Sequence, residues 1–327
     1  MKFPLVSYLI FSLAAFTGGA VRAEDSGTFT ALFDNDWFVS RDRHYTNGVL
    51  VAWTTAPGHT PSWLVDAAHA LPLFSSGGEV RATYGVGQSM YAPDDLTLPD
   101  PPLTDRPYAG FLYATLGLSD RSEQRLDQLH IQLGVIGPSS LAEDAQSLAH
   151  SIFSGRPPKG WAKQLHDEPI VQLTYQRSFK LIPARRLLGV MFDLQPHIGA
   201  AVGNAFDYAN AGAMVRLGFN LPDDFGPMRI EPGVPGANVN EPTARFGAYL
   251  FAGADGRAVG RNIFLDGNSW RASRSVEKKA LVGDLQVGAA VVFKAITVTF
   301  TNVLRSKEFK TQASGDRFGA LNISLRF

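Results

Sequence analysis

A hydrophobic period of two, recurring in segments far apart along the chain, constrains the fold most strongly. In QLHIQLGV, Leu129, Ile131, Leu133 and Val135 alternate with Gln128, His130, Gln132 and Gly134. IVQLTYQR sets Val171, Leu173 and Tyr175 against Gln172, Thr174 and Gln176, and AITVTFTN sets Ile296, Val298 and Phe300 against Thr297, Thr299 and Thr301. Successive side chains of a strand point to opposite faces, so each segment reads as a strand with one apolar and one polar face. Two folds use such strands. A sandwich turns the apolar faces toward each other, and a membrane barrel turns them toward lipid.

The ends of the chain separate these two folds. ALNISLRF alternates Leu321, Ile323, Leu325 and Phe327 against Ala320, Asn322, Ser324 and Arg326, and it stops on the aromatic residue. A last amphipathic strand with a terminal Phe resembles the assembly signal of Gram-negative outer-membrane proteins. At the other end, Lys2 precedes an apolar run from Phe3 to Phe16, followed by the small-residue pattern Val21-Arg22-Ala23. That is the pattern of a secretory signal over 1–23, cleaved before Glu24. No later segment supplies the roughly 18 consecutive apolar residues of a transmembrane helix. Cysteine is absent, which excludes disulfides and thiolate metal sites, and 30 Lys+Arg balance 30 Asp+Glu, so no charge excess points to nucleic acid. With 22 Phe, the reading is all-β: a transmembrane antiparallel β-barrel over 24–327.

Candidate strands fall at 28–36, 44–55, 80–90, 107–118, 126–136, 169–180, 187–203, 209–221, 244–255, 259–266, 280–293, 295–305 and 317–327. Bacterial barrels have an even number of strands, so the least regular of these, 259–266, drops out and about twelve remain. Between 137 and 168 the alternation stops. SSLAEDAQSLAHSIF places Leu141, Ala145, Leu148, Ala149 and Ile152 at helical spacing, and Ser140 stands three residues before Glu143 as in a capping box. A short helix over 139–153 is expected in that connection. Long Pro-, Gly- or Asp-rich connections are expected at 56–78, 91–106 and 222–243. The first contains PSWLVDAAHALPLF, a short amphipathic helix with no evident role.

Counting strands from a periplasmic N-terminus places the helix and the tip after the first strand at the same external end. That tip carries FDNDWFVSRDRHYTNGVL, with Asn35 and Asp36 at the close of the strand and Thr46 at the start of the next. On the helix, Gln146 and His150 are four apart and share a face. An imidazole can exchange a proton near neutral pH, and an Asp among amide and hydroxyl oxygens suits a hard cation such as Ca²⁺. An ordinary surface histidine and a solvated acidic loop fit the same residues, and the spacing is not that of an EF-hand. Asp94, Asp95, Asp100 and Asp105 form a second acidic loop open to the same two readings. There is no G-x-S-x-G elbow, H-E-x-x-H, Walker A sequence or dinucleotide fingerprint.

NDWF followed by RHYTNGV, then GQSMYAPDDL, DRPYAGFLY, QLGVIGPSSLAEDAQSLAH and PKGWAKQLHDEP, resemble the outer-membrane lipid A 3′-O-deacylase family and its uncharacterised relatives. The resemblance covers most of the chain after residue 24 and is densest over 33–177. It implies a twelve-stranded outer-membrane barrel that hydrolyses the 3′-linked acyloxyacyl ester of lipid A in the outer leaflet, with dependence on Ca²⁺. By the same resemblance Asn35, Asp36, Thr46, Gln146 and His150 are the site residues, with His150 as the base acting on water and Asp36 as a metal ligand. Some members place a carboxylate just after the helix histidine, where this chain has Gly155 and Arg156. Two other functions remain open: a phospholipase-like lipid hydrolase of the same membrane, and a non-catalytic barrel serving as pore or scaffold.

Overall fold

The computed structural model describes residues 27–35, 44–74, 77–153, 157–227 and 245–327. The period-two segments form antiparallel strands β1 (Thr28–Asn35), β2 (His44–Thr54), β3 (Glu79–Ala92), β4 (Ala109–Arg121), β5 (Arg125–Ile136), β6 (Glu168–Phe179), β7 (Ile182–Leu187), β8 (Val190–Gly203), β9 (Phe206–Phe219), β10 (Phe246–Asn262), β11 (Leu281–Phe293), β12 (Ile296–Arg305) and β13 (Asp316–Arg326). Neighbours in sequence pair with each other except β6 and β7, β1 pairs with β13, and β6 pairs with β8. Twelve strands therefore close on themselves, and β7 is an extra strand folded back on the start of β8. Closure removes the open edges that a lipid environment cannot satisfy. Gly27 and Phe327 exchange backbone hydrogen bonds of 3.1 Å at the seam, so the two ends of the barrel chain meet.

The segment 259–266, dropped from the strand count, is not a separate strand. β10 runs on to Asn262 through a register shift between Val259 and Arg261, and Ile263–Asp266 make one helical turn. The expected strand from 187 begins instead at Val190, after a two-residue turn in which Leu188 and Gly189 have φ of 51° and 85°. β7 was not expected, because Pro183 and the pair Arg185-Arg186 interrupt any alternation.

The barrel is apolar outside and polar within. On β6, Val171 and Leu173 are exposed while Gln172 and Thr174 are buried, and the same alternation runs through β9 to β12. Buried charges in the lumen are paired, as they must be away from water. Arg216 binds Asp193 at 2.6 Å and also Asp224, Arg305 and Arg257 bind Asp284 at 2.9 and 3.2 Å, and Arg106 binds Glu308 at 3.3 Å. The upper lumen is filled with hydrophobic side chains. Phe264, fully buried, stacks on Tyr91 at 3.9 Å and packs against Phe206 and Phe111 at 5.3 and 6.1 Å. Such an exterior suits lipid, and a sandwich with its apolar faces inward is excluded.

Two further helices are α1 (Ser62–Ala70), between β2 and β3, and α2 (Ala142–Phe153), between β5 and β6; the turn Ile263–Asp266 is α3. No helix among the described residues is long and apolar enough to cross a membrane. α2 starts later than the capping box required. Ser140 lies in a 3₁₀ turn over Pro138–Ser140, its hydroxyl donates to the Gly137 carbonyl at 2.6 Å, and Leu141 sits in the left-handed region at φ 58°. The left-handed Leu141 separates Ser140 from the helix, which begins at Ala142.

Candidate active site at the outer rim

Strand register places Asn35 and the Thr46 position at one edge. On β1, Thr28, Thr30, Leu32 and Asp34 face the lumen, while Phe29, Ala31, Phe33 and Asn35 face outward. Asn35 pairs with Asn47 of β2, Asn47 with Met90 of β3, and Met90 with Gly110 of β4. Directly paired residues share a face. Asn35, Asn47, Met90 and Gly110 thus form one outward row along the rim, spanning about 14 Å at the usual strand spacing of ~4.8 Å.

The register between β2 and β3 slips at this row. Tyr45 opposes Tyr91 and Asn47 opposes Met90, which leaves Thr46 as the extra residue of a bulge. Bulges re-aim side chains at sheet edges. The sequence places Thr46 at the start of the strand, but the bulge itself is not visible there.

α2 is seated on the far end of this row. Gly110 faces outward under Ser140 and Ala142, and a Cβ at that position would overlap both. Gln88, also outward, donates from Nε2 to the Ser140 carbonyl at 2.6 Å. Ala142, with Ala145 at its edge, packs into a cluster with Met90, Ala92, Leu96, Tyr108 and Trp161. The returning leg of the loop is stitched to the β3–β4 connection by Lys159 N to Leu96 O and Leu165 N to Tyr108 O, both 2.9 Å. Ser139 donates its backbone N–H and its hydroxyl to the Asp167 carboxylate, each at 2.8 Å. The helix therefore lies against the outer wall of β3 and β4 and not over the lumen.

Gln146 is buried on α2, and its Oε1 accepts from the Trp161 indole N–H at 2.7 Å. An indole nitrogen can only donate, so this bond fixes which end of the amide is oxygen. The amide nitrogen of Gln146 has no hydrogen-bond partner among the described residues and is available as a donor at the rim. His150 follows one turn later in α2, about 12 Å along the axis from Ala142. Asp36 lies outside the described residues, and of His150 and Thr46 the backbone alone is described.

One unpartnered amide oxygen lies at this edge. Asn47 Oδ1 is buried without a hydrogen-bond partner among the described residues, beside the cross-strand Asn35. An orphaned amide oxygen is a donor type that fits Ca²⁺ chemistry. Among the described residues no three His, Asp or Glu side chains come together to hold a metal. The second acidic loop is committed to turn structure. Asp105 accepts from the N–H groups of Asp94 and Arg106 at 2.8 and 2.7 Å, Asp95 from Thr97, and Asp100 pairs with Arg274.

A closed barrel with an apolar exterior, a charged and plugged interior and a helix laid on its outer wall defines a transmembrane β-barrel of the outer-membrane class. The chain belongs to the family described as Outer membrane protein LpxR, whose sequence profile matches residues 5–327. Among solved structures, LpxR from Salmonella typhimurium has the same fold, with a TM-score of 0.75 at 20% identity, covering 92% of this chain and 100% of that one. The β domain of the Bordetella autotransporter BrkA aligns over 93% of this chain and 100% of its own at 10% identity, with a TM-score of 0.46. The NalP translocator domain from Neisseria meningitidis aligns over 96% and 90% at 11% identity, with a TM-score of 0.39. No curated protein sequence matches the chain.

Proposed function

We propose that the chain is an outer-membrane esterase that removes the 3′-linked acyloxyacyl chain of lipid A. The observation that carries this reading is the outward row from Asn35 to Gly110, with α2 seated at its end. In this reading Asn35 and Thr46 at the strand ends and Gln146 and His150 of α2 act together at that rim, where the ester of an outer-leaflet lipid is accessible. Membership of the LpxR family supports the same substrate class.

In the proposed reaction His150 takes a proton from water, the water oxygen attacks the acyl carbonyl, and the C–O ester bond breaks as the proton passes to the departing sugar oxygen. Asn35 donates its amide hydrogens to the oxyanion, a contribution of about 3–4 kcal/mol for one well-placed donor. Gln146, oriented by Trp161, and Thr46 at the bulge position water and imidazole. Asp36 and Asn47 Oδ1 would hold Ca²⁺, which supplies Lewis-acid polarisation of the ester carbonyl when bound. No acyl-enzyme is required.

The aromatic plug around Phe264 weighs against a pore. A phospholipase-like activity shares the rim geometry and differs in substrate. Purified protein presented with lipopolysaccharide and with glycerophospholipid, with and without chelator, separates the readings. Release of 3′-acyl chains from lipopolysaccharide alone, abolished by chelator, is the expected result. Hydrolysis of the phospholipid alone would overturn the proposed substrate.

A further inference from the structure

The connection between β2 and β3 holds a nine-residue helix, α1, whose surroundings assign it a partner. Leu64 and Ala68 are buried, Val65 is half-buried, and the remaining residues from Ser62 to Ala70 are exposed. At 3.6 residues per turn, Trp63, Ala67 and Ala70 lie along one flank, Val65 and His69 along the opposite flank, and Ser62 and Asp66 point away from the buried stripe. Trp63 is 65% exposed.

The buried stripe packs on the outside of the barrel, against Val80, Ala82 and Leu118 with Leu116, Leu129 and Tyr175 at the edge. Cross-strand pairing arranges the wall beneath it in rows. Tyr84, Leu116, Ile131 and Leu173 form one; Ala82, Leu118, Leu129 and Tyr175 the next; Val80, Asp120, Asp127 and Arg177 the last. The outward surface changes from apolar to charged across these rows, so α1 lies over the periplasmic boundary of the membrane. Ten residues of β3 separate Val80 from Met90 of the outer rim. That is about 33 Å along the strand, or roughly 25 Å along the axis at the usual tilt, the height of a barrel's apolar band.

The helix runs around the barrel, in the plane of the membrane. Before it, Thr60 Oγ1 donates to the Val80 carbonyl of β3 at 2.9 Å, and after it, Arg177 Nη2 of β6 donates to the Leu73 carbonyl at 2.6 Å. Arg177 is itself held by Asp127, which is buried and also accepts from Tyr175 at 2.6 Å and pairs with Arg125 at 2.9 Å. The backbone hydrogen bonds fix the handedness. The outward-facing positions Gly27 and Thr55 bond to Phe327 of the last strand and to Ala82 of β3. For L-residues this places each successive strand to the left when the barrel is viewed from outside with its outer end up. A right-handed helix running leftward from β3 to β6, with Leu64 against the wall, carries Trp63, Ala67 and Ala70 on its upper flank.

We infer that α1 is a docking surface for the phospholipids of the periplasmic leaflet, lying among the headgroups with Trp63, Ala67 and Ala70 turned up to the acyl chains and His69 down to water. The upper flank is continuous with the apolar wall at Tyr84 and Trp53, which stack at 6.0 Å. An indole serves at such a boundary because its ring is apolar and its N–H is polar.

The absence of native cysteine makes the test direct. Ala67→Cys and His69→Cys variants of the full chain, each labelled with an environment-sensitive fluorophore, are reconstituted in phosphatidylethanolamine–phosphatidylglycerol vesicles. The label at 67 should be quenched several-fold more by acyl-chain nitroxide lipids than the label at 69, and iodide should show the reverse order. Equal iodide access at the two positions would overturn the inference and leave the upper flank to a periplasmic protein. Should labelling disturb folding, unlabelled Trp63→Phe provides a second measurement. It should remove part of the nitroxide-quenched tryptophan emission, and an unchanged quenched fraction would overturn the inference equally.

Discussion

Replacing Gly110 tests whether the seat of α2 on the barrel wall controls activity. The residue faces outward, so a side chain there does not enter the lumen. A Cβ would overlap both Ser140 Oγ and Ala142 Cβ. Carbon atoms rest about 3.5–4 Å apart, so the start of α2 must withdraw by on the order of 1 Å in Gly110→Ala and further in Gly110→Val. Overpacking of this kind costs about 1–3 kcal/mol, concentrated in the helix and its cluster with Met90, Tyr108 and Trp161. The ladders on either side, Phe111 with Ile136 and Met90 with Asn47, keep their pairing. Displacing a catalytic group by about 1 Å costs on the order of 100-fold in rate. Gly110→Val should therefore keep the heat-modifiable mobility of a folded barrel on gels and lose at least about 100-fold of the release of acyl chains from lipopolysaccharide. A folded Gly110→Val protein with undiminished activity would refute the reasoning.

Trp161→Phe keeps most of the ring and deletes the indole donor to Gln146, an orphaning worth about 1–3 kcal/mol; slower hydrolysis with little change in KM is the expected outcome in steady-state assays. Planar-bilayer recording should show no steady conductance for the intact barrel, whereas Phe264→Ala, which empties the plug at a stability cost of about 3–5 kcal/mol, should admit intermittent current. Asp223, in the β9–β10 connection, faces Lys180 and Arg121. Burial raises its pKa, but the two cations outweigh burial and leave its carboxyl below the ordinary value. A depressed folded-state pKa contributes stability above the unfolded value and loses it as pH falls through the folded one. Hydrogen-exchange protection of residues 220–227 should thus persist at pH 5 and fall only below about pH 4.

Strand positions were legible because a barrel wall has lipid on one side and a polar lumen on the other, which writes period two into every crossing. The pattern weakened where those two environments end. The segment 259–266 leaves the wall after Asn262 to fill the lumen with Ile263 and Phe264, so its hydrophobicity reports a plug and not a strand. Among the described residues β7 pairs only with β8, it is largely exposed, and nothing about its sequence alternates. Asn35, Gln146 and His150 were readable as strand-end and helix-face residues. The row that links Asn35 to the seat of α2 depends on register across four strands, which no local spacing encodes. Asn47 and Gly110 of that row and Trp161 of the helix seat are not legible in the sequence for the same reason. Trp161 meets Gln146 only because the loop returns along the β3–β4 connection, and Gly110 matters only because a helix from a later loop rests on it.

The most direct test of the account is mass spectrometry of lipid A from a Gram-negative strain that lacks such an enzyme, expressing either the wild-type chain or His150→Ala at equal levels of folded barrel. The wild type should convert lipid A to the form lacking the 3′-linked acyloxyacyl group, and His150→Ala should leave it intact. Full 3′-deacylation by folded His150→Ala, or intact lipid A with the folded wild type in the presence of Ca²⁺, would contradict the assignment of a His-dependent lipid A esterase to this rim.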